Sequence, residues 1–154
     1  MGVYFFESSA LVKRYATETG PPWVCRLTDP VSGNEIYIAR LTGVELIAAF
    51  VRKARAGEIT PSDAQRAVAN FKADWATQYQ IVEITAAVVN RAMEYAERYG
   101  LRGYDAVQLA VAYELNAVRQ DMGLPPLVFV CADNDLNRAA VAEGMVVEDP
   151  NHHP

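Results

Sequence analysis

Apolar positions along the chain fall into short β-prone runs separated by longer stretches of helical period. Residues 3–6 (Val-Tyr-Phe-Phe) form the first run, and Ser8-Ser9 then opens a stretch in which Leu11, Val12 and Tyr15 share one helical face. This reads as strand, tight turn, helix. Gly20-Pro21-Pro22 restarts the chain, residues 23–27 predict a second short helix, and a turn over 30–34 leads into a second strand at 35–39. Residues 42–56 predict an amphipathic helix ended by Gly57, and Thr60-Pro61-Ser62-Asp63 starts another that runs to about residue 78.

A third strand follows at 80–84, then a helix over 86–99 with Gly100 as its stop, and a long helix over 103–122. Residues 127–131 are the most apolar strand, as burial on both faces of a parallel sheet requires. A short helix at 136–142 and a last strand at 145–147 complete the pattern. Strands separated by helices imply right-handed crossovers and a mostly parallel central sheet covered on both sides. The predicted fold class is therefore α/β, a three-layer α/β/α sandwich. Residues 1–149 read as one domain and 150–154 as a polar C-terminal tail. Such sheets bind ligands beyond the carboxyl ends of their strands.

Composition narrows the chemistry. With 154 residues and 51% apolar content, the chain can bury a core without disulfides or a structural metal. Trp23, Phe50, Val51 and Phe71 supply more large apolar surface on the second to fourth helices than so small a core requires, so part of it is expected to meet a partner. The two cysteines, Cys25 and Cys131, match no metal-ligand spacing and read as reduced thiols. No run approaches the roughly 20 apolar residues of a spanning helix, so a cytoplasmic protein without membrane contact is expected. The net charge of −5 argues against broad electrostatic attraction to nucleic acid and demands a local basic patch for any such contact. Both histidines, His152 and His153, fall in the polar tail and are expected to be exposed and idle, which excludes histidine-based catalysis and histidine-liganded zinc.

Carboxylates remain. Three strands run into an acid at or near the start of the following helix: Glu7 after the first, Glu45 after the second, Asp133 after the fourth. Parallel strands would bring all three to one edge, and carboxylates without histidine or cysteine neighbours make an oxygen-rich site suited to Mg²⁺ or Mn²⁺. Each also has a plain structural explanation, because helix N-termini stabilise acids. Thr42-Gly43-Val44-Glu45 fits a capping box, Asp133 fits an N-cap, and Glu7 precedes a serine cap. Asp105 stands in the first turn of the long helix with apolar Leu109 and Ala112 at helical spacing, so it faces protein rather than solvent.

Together these motifs resemble a known family. Glu7-Ser8-Ser9-Ala10-Leu11-Val12-Lys13 is similar to the opening of PIN domains, where an acid ends the first strand and a serine two residues later supports it. Glu45 matches the second acid, Leu101-Arg102-Gly103-Tyr104-Asp105-Ala106 resembles the third, and Val130-Cys131-Ala132-Asp133 with Asp135-Leu136 resembles the last. The order holds across almost the whole chain, which is identified as a member of the PIN-domain ribonucleases of the VapC toxin type.

The resemblance implies a PIN-like fold and a metal-dependent endoribonuclease, the toxin of a toxin–antitoxin pair. Glu7, Glu45, Asp105 and Asp133 would hold Mg²⁺ or Mn²⁺, Asp135 is a secondary ligand, and Ser9 would orient a carboxylate. Products would carry 5′-phosphate and 3′-hydroxyl ends. The implied partners are RNA and a cognate antitoxin; single-stranded or looped RNA, whose bases are accessible, is the expected target, and a homodimer would set two basic patches along one groove. Lys13, Arg14, Arg40 and Arg102 flank the acids as candidate contacts to RNA phosphates, or are ordinary solvated charges. One departure stands out: the family's first acid is normally aspartate, and here it is Glu7. The extra methylene displaces the carboxylate by roughly a bond length, while Mg²⁺ demands near-ideal octahedral geometry at about 2.0–2.1 Å. A catalytically impaired PIN-fold module that binds antitoxin or RNA is therefore the alternative. An unrelated α/β domain whose acids are caps would have no affinity for divalent metal.

Overall fold

Phe5 and Phe6 are adjacent in one strand, so the pleat sends their rings to opposite faces and each seeds a different core. That division organises the computed structural model, which describes residues 1–16 and 21–153. Five strands, β1 (Val3–Phe6), β2 (Glu35–Ala39), β3 (Gln80–Val82), β4 (Val128–Val130) and β5 (Val146–Glu148), form one sheet in the order β3-β2-β1-β4-β5. Every neighbouring pair is parallel.

On the Phe6 side pack α1 (Ser8–Tyr15), α2 (Pro22–Thr28), α3 (Arg40–Arg55) and α4 (Pro61–Thr77), burying Leu11, Leu46, Phe50 and Phe71. The Phe5 side is covered by α5 (Ala86–Tyr99), α6 (Gly103–Asp121) and α7 (Asn134–Ala142), with Tyr95, Leu109 and Leu136 inward and Phe5 stacked on Phe129 at 5.9 Å. The result is the expected three-layer α/β/α sandwich, with a sheet that is parallel throughout.

Topology places the site. From β1 the chain moves outward to β2 and β3, then crosses back to β4 on the other flank of β1. This reversal opens a crevice beyond the carboxyl ends of β1 and β4, where open parallel sheets bind their ligands. Pairing continues past the strand ends, with Glu7 N–H donating to Val130 O at 3.0 Å, so the residues that follow β1 and β4 are held side by side.

Several expectations are corrected. Phe50 and Phe71 are 0% and 1% exposed, so they belong to the core and leave Val51, at 39%, as exposed apolar surface. At the C-terminus Pro150 is buried in a 3-10 turn, and His153 stacks on Trp23 at 4.1 Å and 5° while bonding Glu148 at 2.8 Å, whereas His152 is exposed as expected. A flat indole face beside a carboxylate gives the imidazole both an apolar and a polar partner, which periodicity could not reveal. The chain restart expected at Gly20 and residue Pro154 lie outside the described residues. Among the described residues no helix is long and apolar enough to cross a membrane.

Candidate active site

The extended backbone that ends β1 places Glu7 as the N-cap of α1. Its Oε2 accepts from the Ser9 N–H at 2.8 Å and from the Ser9 hydroxyl. Glu7 therefore caps the helix itself; it does not merely precede a serine cap. Ser9 Oγ in turn accepts from the Ala132 N–H at 2.9 Å, so one serine fastens the end of β1 to the end of β4. Asp133 caps α7 through the Leu136 N–H at 2.9 Å, and Cys131 packs beneath, 3.7 Å from Ser9 Oγ.

Glu45 is no capping-box residue. The helix starts at Arg40 with Ala39 as its N-cap and no side-chain cap, which puts Glu45 in the second turn. Thr42 is fully buried and accepts from Gln108 Nε2 at 2.9 Å, while Glu45 Oε1 accepts from Gln108 Nε2 at 2.6 Å and from Ser8 Oγ at 2.9 Å. By contrast Thr60 and Asp63 do form the reciprocal capping box, where no buried donor competes.

The sequence offers Ser8 and Thr42 only as helix-start residues and does not mark Gln108 at all, although Gln108 is the lone polar residue in the run 106–112 and lies three residues beyond Asp105 on the same helix. Its Oε1 has no partner among the described residues, because turning the amide over would set oxygen against oxygen at Glu45. Replacing it by leucine leaves two buried hydroxyls and a carboxylate without their shared donor. Gln108→Leu is expected to lower stability by about 1–3 kcal/mol in thermal unfolding and to reduce any metal-dependent activity roughly 10-fold or more.

The acids feel one another. Burial pushes the Glu7 carboxyl up to about 7, against the opposing hydrogen bonds from Ser9, and the charge of Asp105 adds to the rise. Asp105 is also raised, first by burial and then by the charges of Asp133 and Glu45, with Arg102 opposing. Asp105 is thus the electrostatic hub of the crevice. Asp133 and Asp105 line a cleft of about 500 Å³ together with Asp135, Arg102 and Arg138. Asp135 is exposed there and paired with Arg138. Among the described residues no three of these acids stand close enough to enclose an ion unaided. An all-oxygen set with mutual repulsion still suits a hydrated Mg²⁺ or Mn²⁺ ion, which is usually held by one or two carboxylates and several waters.

Of the four basic candidates, Arg102 lines this cleft. Arg14 is turned away, donating to Thr28 O at 2.7 Å and lying 3.6 Å from Asp74. Arg40 pairs with Glu83 and sits 5.6 Å from the Trp75 ring. Lys13 is half-buried in the last turn of α1 and is not among the residues lining the cleft.

A parallel α/β/α sandwich with interacting carboxylates at its switch point is matched at the sequence level by the PIN domain family over residues 4–142. The chain belongs to the PIN-domain family. Within it, the sequence is 34% identical over 144 residues to Ribonuclease VapC45 of Mycobacterium tuberculosis strain CDC 1551 / Oshkosh, a match covering 94% of this chain and 93% of that protein. Ribonuclease VapC49 of strain H37Rv matches to the same extent. The fold is shared with the crystal structure of PAE2754 from Pyrobaculum aerophilum, at TM-score 0.63 and 22% identity over 98% of this chain and 91% of the other. It is shared too with VapBC2 from Rickettsia felis bound to a DNA fragment from their promoter, at TM-score 0.63 and 14% identity over 96% and 98% of the two chains.

Proposed function

We propose that this protein is a cytoplasmic metal-dependent endoribonuclease, the toxin of a toxin–antitoxin pair. What supports the reading is that Asp105 and Asp133 line one cleft beyond the carboxyl ends of the strands, in a chain of the same family as proteins named ribonucleases. Mg²⁺ or Mn²⁺ would be held by Asp105 and Asp133, with Glu45, Glu7 and Asp135 acting directly or through water. The ion would supply a more acidic bound water and charge stabilisation at the phosphate. Ser9 fixes Glu7 and the Ala132 backbone, Gln108 fixes Glu45, and Arg102 offers its guanidinium to a phosphate oxygen. Water then attacks phosphorus in line, the P–O3′ bond breaks, and the products carry 5′-phosphate and 3′-hydroxyl ends.

One observation favours a second reading, a binding module without cleavage: the Glu7 carboxyl is 3% exposed and bonded back onto Ser9. Purified protein incubated with mixed RNA and Mg²⁺, Mn²⁺ or EDTA separates the two. Cleavage that EDTA abolishes supports the nuclease, and intact RNA under all three conditions leaves the module.

For the antitoxin we assign the groove between α3 and α4. Val44, Ile47, Val51 and Trp75 line it, and Arg40, Arg52, Arg55 and Lys72 surround it, which fits an amphipathic segment with acidic flanks. Val51→Asp is expected to weaken binding of the cognate antitoxin about 10-fold or more while leaving the thermal midpoint within a few degrees. Calorimetric titration measures it, and unchanged affinity removes the groove from the interface. A homodimer is the other assembly the reading includes, and light scattering tests it.

A further inference from the structure

The turn from α5 to α6 gathers further side chains around the acids. Gly100 adopts φ +65°, which reverses the chain at the end of α5 and brings Tyr99 into the same cleft as Asp105. Arg102 on this turn and Arg138 on α7 line the cleft as well, and its volume of about 500 Å³ is that of an ordinary small-ligand site. The Tyr99 hydroxyl donates to Glu143, the Tyr95 ring lies tilted at 6.0 Å on the core side, and the Arg98 guanidinium lies 5.7 Å from the Tyr99 ring centroid, so the half-buried ring is held in place with only part of it towards the cleft. Arg138 pairs with Asp135, but both side chains are largely exposed, at 76% and 78%. Such a surface pair contributes little and opens readily to a better anion. In a chain of net charge −5, two guanidinium groups and a fixed aromatic ring thus stand beside the acids.

We propose that this cleft is a nucleotide subsite. One unstacked base of single-stranded RNA packs against the Tyr99 ring, and the phosphate next to it lies between Arg102 and Arg138. The inference rests on the nuclease reading and deepens it by naming the residues that choose where RNA is cut. An aromatic face takes a base whose own stacking partner is gone, and guanidinium forks match phosphate oxygens. Bases within a duplex stay stacked and out of reach, so the subsite selects loops and single strands.

The test has two arms. In the first, a cleavage-impaired Asp105→Asn protein in Mg²⁺ is titrated with fluorescent single-stranded oligoribonucleotides, alone and combined with Tyr99→Ala, Tyr99→Phe, Arg138→Gln or Tyr104→Ala. Tyr99→Ala is expected to weaken binding about 10-fold, the scale of one base–aromatic stack. Tyr99→Phe should bind like the parent, Arg138→Gln should weaken all sequences alike, and Tyr104→Ala, an exposed neighbour outside the cleft, should change nothing. In the second arm, cleavage sites of the otherwise unaltered protein are mapped on oligoribonucleotides of random sequence, and Tyr99→Ala should flatten the base preference at one position beside the scissile bond. Parental binding by Tyr99→Ala overturns the proposal, as does a Tyr99→Phe defect equal to that of Tyr99→Ala, which would trace the effect to Glu143. If the unaltered protein cuts no RNA while Tyr99→Ala still loses binding, the nuclease reading fails and the subsite stands.

Discussion

Asp105→Asn is expected to lower metal-dependent RNA cleavage by about 100-fold or more without unfolding the protein. The substitution keeps the shape of the side chain and removes the charge that couples to Glu7, Glu45 and Asp133. Loss of an acid from the first turn of α6 forfeits up to about 1 kcal/mol of dipole stabilisation. Relief of repulsion from Glu45 and Asp133 offsets it, so metal-free stability should stay within about 1 kcal/mol of the parent. Single-turnover cleavage in Mg²⁺, urea unfolding in EDTA and a metal titration are the measurements. A variant that cleaves at the parental rate with parental metal affinity makes Asp105 a structural residue and removes the hub from the proposed site.

The sandwich was legible in the sequence because its layers are written in period. Phe5 and Phe6 alternate, Leu109 and Ala112 share a helical face, and 127–131 is apolar on both sides. The strand-end rule gathered Glu7, Glu45 and Asp133, but it was silent on Asp105, which follows no strand; only family resemblance brought that residue to the edge. What local pattern misread was capping. Thr42 and Glu45 have the spacing of a capping box, yet the helix begins two residues earlier and a buried amide from α6 claims both side chains. Capping is a local competition, and a donor arriving from 66 residues away in sequence decides it. The docked His153 failed to show for the same reason, since its partner Trp23 lies at the other end of the chain.

Glu7→Gln is expected to make the metal-free protein markedly more stable above neutral pH and to leave it nearly unchanged in mild acid. Burial lifts the Glu7 carboxyl from an ordinary 4.5 to about 7 in the folded state. Below 4.5 both folded and unfolded chains carry the proton and the shift contributes nothing. As pH rises from 4.5 towards 7, the unfolded chain releases a proton that the folded chain retains, so stability falls across that window. Above it both states are ionised and the full penalty applies, on the order of 3 kcal/mol at 1.36 kcal/mol per unit. Asp105, raised for similar reasons, adds a decline of the same sign. Urea unfolding in EDTA at several pH values should therefore show the parent losing stability from mild acid to pH 8 while Glu7→Gln follows a flatter line. Mn²⁺ should narrow the gap at the alkaline end, because a bound cation stabilises the ionised carboxylate that glutamine lacks. A parent whose stability is level between mild acid and pH 8 would mean that Glu7 ionises freely in the folded protein, and that its carboxyl is open to water instead of closed onto Ser9.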